Sequence, residues 1–342
     1  MPSNRLNMGL IGAGRIGRVH AENLSLRIPT ADLRVVADVD AAAAADCAAQ
    51  YHIPRSLSDY RAVLDDPDIQ AVVICSSTDT HALIIEDAAK AGKHIFCEKP
   101  IALRLEAIDG ALAAVERAGV KLQIGFNRRF DANYARVRHG IEQGEIGTLQ
   151  LLHIISRDPG PPPIEYVRVS GGMFLDMTIH DFDMARFLSG SEAEEVFTMA
   201  GVKVDPAIGE VGDVDTAVIM LRFSNGVIGT IDNSRRAVYG YDQRVEAFGS
   251  GGAINTANNY PNTAVVSDAG SIRRDLPLNF FMERYTESYL SEMRAFVDAV
   301  LNDKPVPVTG HDGRVPVVMA LAAAKSHRED RPVRLSEVDG SR

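Results

Sequence analysis

Two textures of hydrophobic patterning divide this chain. Up to Gly125, short continuous apolar runs alternate with stretches of helical periodicity. Leu6 to Ile11, Leu33 to Ala37, Ala71 to Cys75, His94 to Cys97 and Lys121 to Gly125 read as strands. Helices are expected from after Gly12-Ala13-Gly14-Arg15-Ile16-Gly17 through Leu26, over Ala41 to Ala49, near Ser58 to Leu64, and over Thr80 to Ala91 and Arg104 to Ala118. Strands apolar on both faces and separated by helices predict a parallel sheet covered on both sides. Beyond Phe126 the period becomes two: Leu149 to Ser156, Glu194 to Val204, Val214 to Phe223, Gly226 to Asn233 and Gln243 to Phe248, punctuated by turns such as Ser224-Asn225-Gly226. That pattern predicts an α+β domain built on a large, mostly antiparallel open sheet with one face covered. Helices over Met282 to Leu301 and Asp312 to Arg328 close the chain.

At 342 residues, two domains are the natural expectation: 1–125, α/β with a parallel sheet, and 126–342, α+β. The uncovered face of the second sheet has to meet something, and a second subunit is the usual solution.

Ligands on parallel sheets bind outside the carboxyl ends of the strands. Here those ends are Gly12-Ala13-Gly14, Asp38, Cys75-Ser76-Ser77-Thr78, Glu98-Lys99-Pro100 and Gly125-Phe126-Asn127, which are expected to line one crevice. Gly12-Ala13-Gly14-Arg15-Ile16-Gly17, between a strand and a helix, is a dinucleotide-binding turn. Gly12 permits the tight turn, Gly14 lets backbone approach a pyrophosphate, and Gly17 lets helix pack on strand. The helix N-terminus then offers N–H groups and partial positive charge to phosphates. Asp38 ends the second strand at the spacing of the acid that binds the adenosine ribose; its carboxylate would repel a 2′-phosphate, so NAD is expected over NADP. Asp40, directly before the next helix, reads as that helix's cap. The expected cofactor-binding residues are Gly12, Gly14, Arg15, Ile16, Gly17, Asp38, Cys75, Ser76, Ser77, Glu98 and Lys99.

Composition narrows the partners. A formal net charge of −10 with no basic cluster argues against nucleic acid and anionic membranes. No apolar run approaches a membrane span, and residues 1–5 lack a signal-peptide profile, so a cytoplasmic location is expected. Cys47, Cys75 and Cys97 are too few and wrongly spaced for a disulfide framework or a zinc cluster; Cys75 and Cys97 read as packing residues.

The stretch Gly171 to Leu188 reads as one buried helix carrying a polar stripe of Asp176, His180 and Asp183, at i, i+4 and i+7. Gly172 falls on the same stripe, where a missing side chain would leave room for a ligand. Buried carboxylates and imidazoles are costly unless paired. An Asp–His pair fixes the tautomer that a general base requires. No further His or Cys accompanies the stripe at helical spacing, so no metal is expected. His20 and His81, on helices of the first part, read as packing or capping groups. Pro159 to Pro163 reads as a stiff loop that could wall a substrate cleft or serve only as a connector.

On GAGRIG at 12–17, TDTHA at 78–82, CEKP at 97–100, GFNRRFD at 125–131, DMTIHDFDMARFL at 176–188 and YGYDQR at 239–244, nearly the whole chain resembles the glucose–fructose oxidoreductase/inositol dehydrogenase (Gfo/Idh/MocA) family. The last two stretches point to its inositol branch. The resemblance implies a Rossmann domain, and a tetrameric, NAD-dependent, metal-free enzyme that oxidises a cyclic polyol. It implies Lys99, Asp176 and His180 as catalytic residues. Asn127, Asp158, Asp183 and Tyr241 are further candidates for substrate binding, whereas Arg128 and Arg129 read as supports. Asp158 stands where some relatives carry a substrate-binding Asn, a departure that bears on the isomer bound.

Overall fold

A computed structural model describes residues 5–340. The chain forms two compact units: residues up to 130 together with 287–317, and residues 131–286 together with 318 onward.

In the first unit, β1 (Leu6–Ile11), β2 (Ala31–Ala37), β3 (Arg55–Leu57), β4 (Ala71–Ile74), β5 (His94–Glu98) and β6 (Leu122–Gly125) form an all-parallel sheet in the order β3-β2-β1-β4-β5-β6. The order reverses beside β1, at the switch point where such sheets bind ligands. Helices Arg15–Glu22, Ala41–Tyr51, Thr78–Lys90 and Leu105–Ala118 cross over between strands. β3 is too short and too exposed to carry an apolar signal, and the sequence pattern does not reveal it.

The contiguous division at 125/126 needs one correction. The helix Thr286–Leu301 sends Leu290, Met293, Phe296 and Val297 into the core of the first unit, among Leu6, Met8, Leu10 and Phe96. Phe96 and Phe296 meet edge to face at 5.9 Å. An amphipathic period says that a helix has a buried face, not which core it meets.

In the second unit, β7 (Leu149–Arg157), β8 (Ala193–Gly201), β9 (Thr216–Phe223), β10 (Ile228–Ser234), β11 (Asp242–Gly249), β12 (Gly252–Asn255) and a two-residue strand at Val333–Arg334 form one sheet, in the order β12-β11-β7-β10-β9-β8 with the short strand beside β8. All pairings are antiparallel except β7 with β10. A small separate hairpin pairs residues 265–267 with 272–274. On β9, Ala217, Ile219, Leu221 and Phe223 are buried while Val218, Met220 and Arg222 are exposed, the period of two that the sequence shows. The outward face carries Met199, Val218, Met220, Ile228 and Phe248, all exposed. The helix Thr178–Ser189 packs on the inner face, against β7 and β10.

The stretch 171–188 is not one helix. Met173–Asp176 forms a single turn, the chain breaks at Met177, and Thr178–Ser189 follows as a second helix. The amide of His180 donates to Met177 O at 3.3 Å, three residues back instead of four. Asp176 and His180 therefore lie on two segments, and only His180 and Asp183 share a continuous helix.

Candidate active site

The glycine-rich turn is shaped by what surrounds each glycine. Gly12 has φ +103°, and a Cβ there would lie 2.5 Å from the Cys75 carbonyl carbon and 2.6 Å from Ser76 N. At Gly17 a Cβ would stand 2.0 Å from Gly12 O. Gly14 differs, because a Cβ there would meet nothing within 4 Å, so its face is open. The helix Arg15–Glu22 begins directly after it, with Arg15 exposed and Ile16 half-buried. Ala13 N donates to Asp38 Oδ2 at 2.7 Å, and Asp40 N donates to Asp38 Oδ1 at 2.9 Å. Asp40 caps the helix Ala41–Tyr51, accepting from Ala42 N and Ala43 N.

These residues fit a dinucleotide. The open backbone at Gly14 runs into a helix N-terminus whose first N–H groups have no acceptor within the helix. A carboxylate has about four lone-pair positions, and the two backbone bonds to Asp38 leave room for ribose hydroxyls. The structure gathers the expected cofactor-binding residues at adjacent strand ends: Gly12 lies against Cys75 and Ser76, and Glu98 lies against Gly125, whose added Cβ would be 3.0 Å from Glu98 Oε2. Ser76 Oγ is 2.7 Å from Thr80 Oγ1, while Ser77 precedes the helix Thr78–Lys90 and is exposed. Burial pushes the Cys75 and Cys97 thiols well up, which suits packing groups and not nucleophiles.

Lys99 directly follows β5 and is half-buried. His20 and His81, read from sequence as packing or capping groups, are both hydrogen-bonded next to it. His20 Nε2 lies 2.7 Å from Glu98 Oε1, and His81 Nδ1 lies 2.8 Å from Pro100 O. Among the described residues, His20, Glu98 and Glu292 bring metal-ligand-type atoms within 4.8 Å of one another. At 2.7 Å, the His20–Glu98 contact is a hydrogen bond. Asn127 is 2 % exposed, and its Nδ2 has no hydrogen-bond partner among the described residues, the mark of a side chain with a donor to spare. Arg129 pairs with Asp312 at 2.9 Å. Although burial opposes it, the Arg129 charge and the Thr309 hydrogen bonds hold Asp312 down at about 2.

In the second unit Asp176 is the centre of a network that spacing alone does not reveal. Its Oδ1 accepts from Tyr166 Oη at 2.8 Å, and its Oδ2 accepts from Arg235 at 3.3 Å. Arg235 also faces Asp213 at 3.8 Å. Asp213 accepts from Met173 N at 3.0 Å and so starts the turn that carries Asp176. The space at Gly172, expected to be left for a ligand, is taken by Asp213: a Cβ there would be 2.8 Å from Asp213 Oδ1. With φ +81° at that position, the glycine serves the backbone.

His180 is half-buried in the first turn of the helix Thr178–Ser189, and Asp183 is 1 % exposed one turn on. Asp181, absent from the expected set, anchors this helix to the sheet. It accepts from Asn233 Nδ2 at 2.9 Å, while Thr178 Oγ1 donates to Asn233 Oδ1 at 2.7 Å. Asp158 sits at the end of β7, its N–H on Ser234 O at 2.9 Å. Tyr241 is buried edge-on to Tyr285 at 6.0 Å. Asp242 beside it collects Tyr239 Oη, Arg244 Nε and Asn258 Nδ2 at 2.6–2.7 Å, which holds its carboxyl at about 2 against the opposing effect of burial. That knot fixes the segment carrying Tyr241. No local pattern flags Arg235, Tyr166 or Asp213, which become site residues only through tertiary contact.

Comparison with known proteins agrees with this geometry. The oxidoreductase family with an NAD-binding Rossmann fold matches residues 6–126, and the GFO/IDH/MocA C-terminal domain matches residues 134–255. The chain is 48 % identical to the myo-inositol 2-dehydrogenase of Thermotoga maritima, over 98 % of this chain and 100 % of the relative. It is 45 % identical to the inositol 2-dehydrogenase of Rhizobium meliloti, over 97 % and 99 %. The crystal structure of scyllo-inositol dehydrogenase from Lactobacillus casei with bound NAD(H) and scyllo-inositol superposes with a TM-score of 0.91 at 30 % identity, covering 97 % of this chain and 99 % of that one. The chain belongs to the Gfo/Idh/MocA oxidoreductase family.

Proposed function

We propose that the protein is an NAD-dependent dehydrogenase that oxidises one ring hydroxyl of an inositol, myo-inositol first, to the ketone. The observation that carries the reading is end-to-end similarity, at 48 % and 45 % identity, to proteins named inositol 2-dehydrogenases. The Gly12–Gly17 turn with Asp38 would hold NAD, and Asp38 favours it over NADP by repelling a 2′-phosphate. When bound, the nicotinamide supplies the acceptor for the carbinol hydrogen, which leaves as hydride.

The chain's own residues handle the proton and the charge. His180 takes the hydroxyl proton, and Asp176 orients the imidazole and stabilises the imidazolium. Lys99 donates a charged hydrogen bond to the oxygen that becomes the carbonyl, where negative charge develops. Tyr166 and Arg235 hold the Asp176 carboxylate in one orientation. A neutral polyol needs several paired donors and acceptors. Asn127, Asp158, Asp183 and Tyr241 are assigned to that task, and Asp158 to the choice of isomer.

We assign the protein to the cytoplasm, as a homotetramer assembled through the outward sheet face of the second unit. The exposed row Met199, Val218, Met220, Ile228 and Phe248 supports assembly. Free Cys47, Cys75 and Cys97 suit a reducing compartment, and no described helix is long and apolar enough to cross a membrane. Light scattering of wild type and Met220→Glu tests the assembly: a tetramer that dissociates in the variant is expected, and a wild-type monomer would sink it.

The functional test is a spectrophotometric panel of inositol isomers and sugars with NAD and NADP. NADH formed with myo- or scyllo-inositol is the expected outcome. Turnover of aldoses with no response to any inositol would overturn the substrate while leaving the class of chemistry intact.

A further inference from the structure

We propose that His20 and His81 are positioning residues for Lys99, two buried imidazoles that grip the residues on either side of it. His20 holds Glu98 by its carboxylate, and His81 holds Pro100 by its carbonyl. The proposal rests on the reading that Lys99 serves the oxidation.

His20 is wholly buried, and its Nε2–H donates to Glu98 Oε1 at 2.7 Å. Its ring is wedged edge-on between Phe96 at 5.1 Å and Tyr289 at 5.9 Å. Glu98 is confined from the other side by Gly125, where even a Cβ would approach its carboxylate to 3.0 Å. The carboxylate thus lies between His20 and Gly125, where β5 ends. His81 is 2 % exposed, with Nδ1 2.8 Å from Pro100 O and Nε2 3.0 Å from Ser76 O. Pro100 has no N–H, so its carbonyl is its one backbone group able to hydrogen-bond. The same imidazole ties that carbonyl to the loop after β4.

Core filling alone does not account for these side chains. His20 Nδ1 has no hydrogen-bond partner among the described residues, and a buried unsatisfied nitrogen costs stability that a hydrocarbon of similar size would not. His81 faces two carbonyls, which only accept. The neutral ring can therefore serve one of them and the imidazolium both. Burial favours the neutral ring, while the two carbonyls and the charges of Glu98 and Asp79 oppose that effect. What both side chains accomplish is to hold the residues on each side of Lys99, Glu98 by its side chain and Pro100 by its backbone carbonyl. Placement matters at that scale: a shift of about 1 Å in a reacting group can cost ~10²-fold in rate.

The test compares His20→Leu and His81→Leu with His20→Gln and His81→Gln, which keep an N–H donor, each in wild-type and Lys99→Met backgrounds. Steady-state kinetics are read alongside hydrogen exchange of the segment 97–103. In the wild-type background the Leu variants should lose about tenfold or more in kcat, exchange that segment faster, and be largely rescued by Gln. In the Lys99→Met background the same substitutions should leave the residual kcat unchanged, because residues acting through one group do not add. The clamp alone is overturned if Lys99→Met is impaired and the losses multiply, or if the Leu variants keep wild-type kcat and exchange. Near-normal turnover of Lys99→Met overturns the functional reading itself, and the clamp with it. Should the Leu variants fail to fold, Gly125→Ala takes their place. It keeps both histidines and presses a methyl group on the Glu98 carboxylate, with the same two outcomes expected and the same results overturning the clamp.

Discussion

Asp176 and Arg235, 59 residues apart, meet at 3.3 Å with the guanidinium 1 % exposed. Arg235 follows β10 and reaches both Asp176 and Asp213, so one cation balances the two carboxylates that start and end the turn Met173–Asp176. Removing one partner of a buried pair costs about 3–5 kcal/mol, because the other is left uncompensated. Arg235→Leu should fall at the lower end, about 3 kcal/mol, since the partly exposed carboxylates can regain water. It should also lower kcat by freeing Asp176. Arg235→Lys keeps the charge but not the planar fork, and should recover part of each loss. Urea unfolding and kcat measure both effects. A Leu variant of wild-type stability would show that the pair does not hold this turn.

Asp38 carries a second prediction. Both of its oxygens accept backbone N–H groups, from Ala13 and Asp40, so the side chain braces the glycine turn as well as facing the expected ribose. Asp38→Ala should raise the KM for NAD and narrow the preference for NAD over NADP. Asp38→Asn, which keeps an acceptor but loses the charge, should narrow the preference with less damage to the turn. An unchanged ratio of kcat/KM between the two cofactors in both variants would remove Asp38 from cofactor selection.

Why this much is legible from sequence, and no more, follows from how local each feature is. The glycine turn and the Asp40 cap rest on short-range backbone rules, so Gly12, Gly17 and Asp40 do in the fold what their spacing implies. Period two identifies the five longer strands of the second sheet because one face is buried and the other is not, while β12 and Val333–Arg334 are too short to show it. The break at Met177 is different. Apolar residues on both sides of it read as one continuous helix, while the partners that hold the turn before it are remote: Asp213 lies 40 residues from Met173, and Arg235 lies 59 from Asp176. Thr286–Leu301 shows the same limit: its apolar face is plain in sequence, but its place among Leu6, Met8 and Phe96 is not. His20 and His81 look like filler on a helical wheel, because their partners lie on other elements: Glu98 at the end of β5 and Pro100 just after it.

The proton acceptor is testable apart from the cofactor site. His180→Ala should lower kcat by about two orders of magnitude, the range typical of losing a general base. Its affinity for NAD, measured by calorimetry, should be unchanged, because the Gly12–Gly17 turn and Asp38 are untouched. Near-normal turnover would remove His180 from the role of base and turn attention to Asp176 or a water.

The last prediction concerns Glu292. It is wholly buried, and neither carboxylate oxygen has a hydrogen-bond partner among the described residues. Burial first, and the charge of Glu98 second, push its carboxyl well above the ordinary value of 4.5. A carboxyl raised on folding gives its full contribution to stability below the unfolded value and loses it as pH rises toward the folded one. Neutral pH therefore lies on the losing side of that window. Glu292→Gln keeps the shape and is neutral at every pH, so it escapes the loss. The variant should be more stable than wild type at neutral pH, with the gap widening as pH rises above the ordinary value of 4.5 and narrowing toward acid. Urea unfolding at several pH values decides the matter. Parallel curves for the two proteins, or a variant that is the weaker of the two at the alkaline end, would mean that Glu292 folds with its charge intact and partnered.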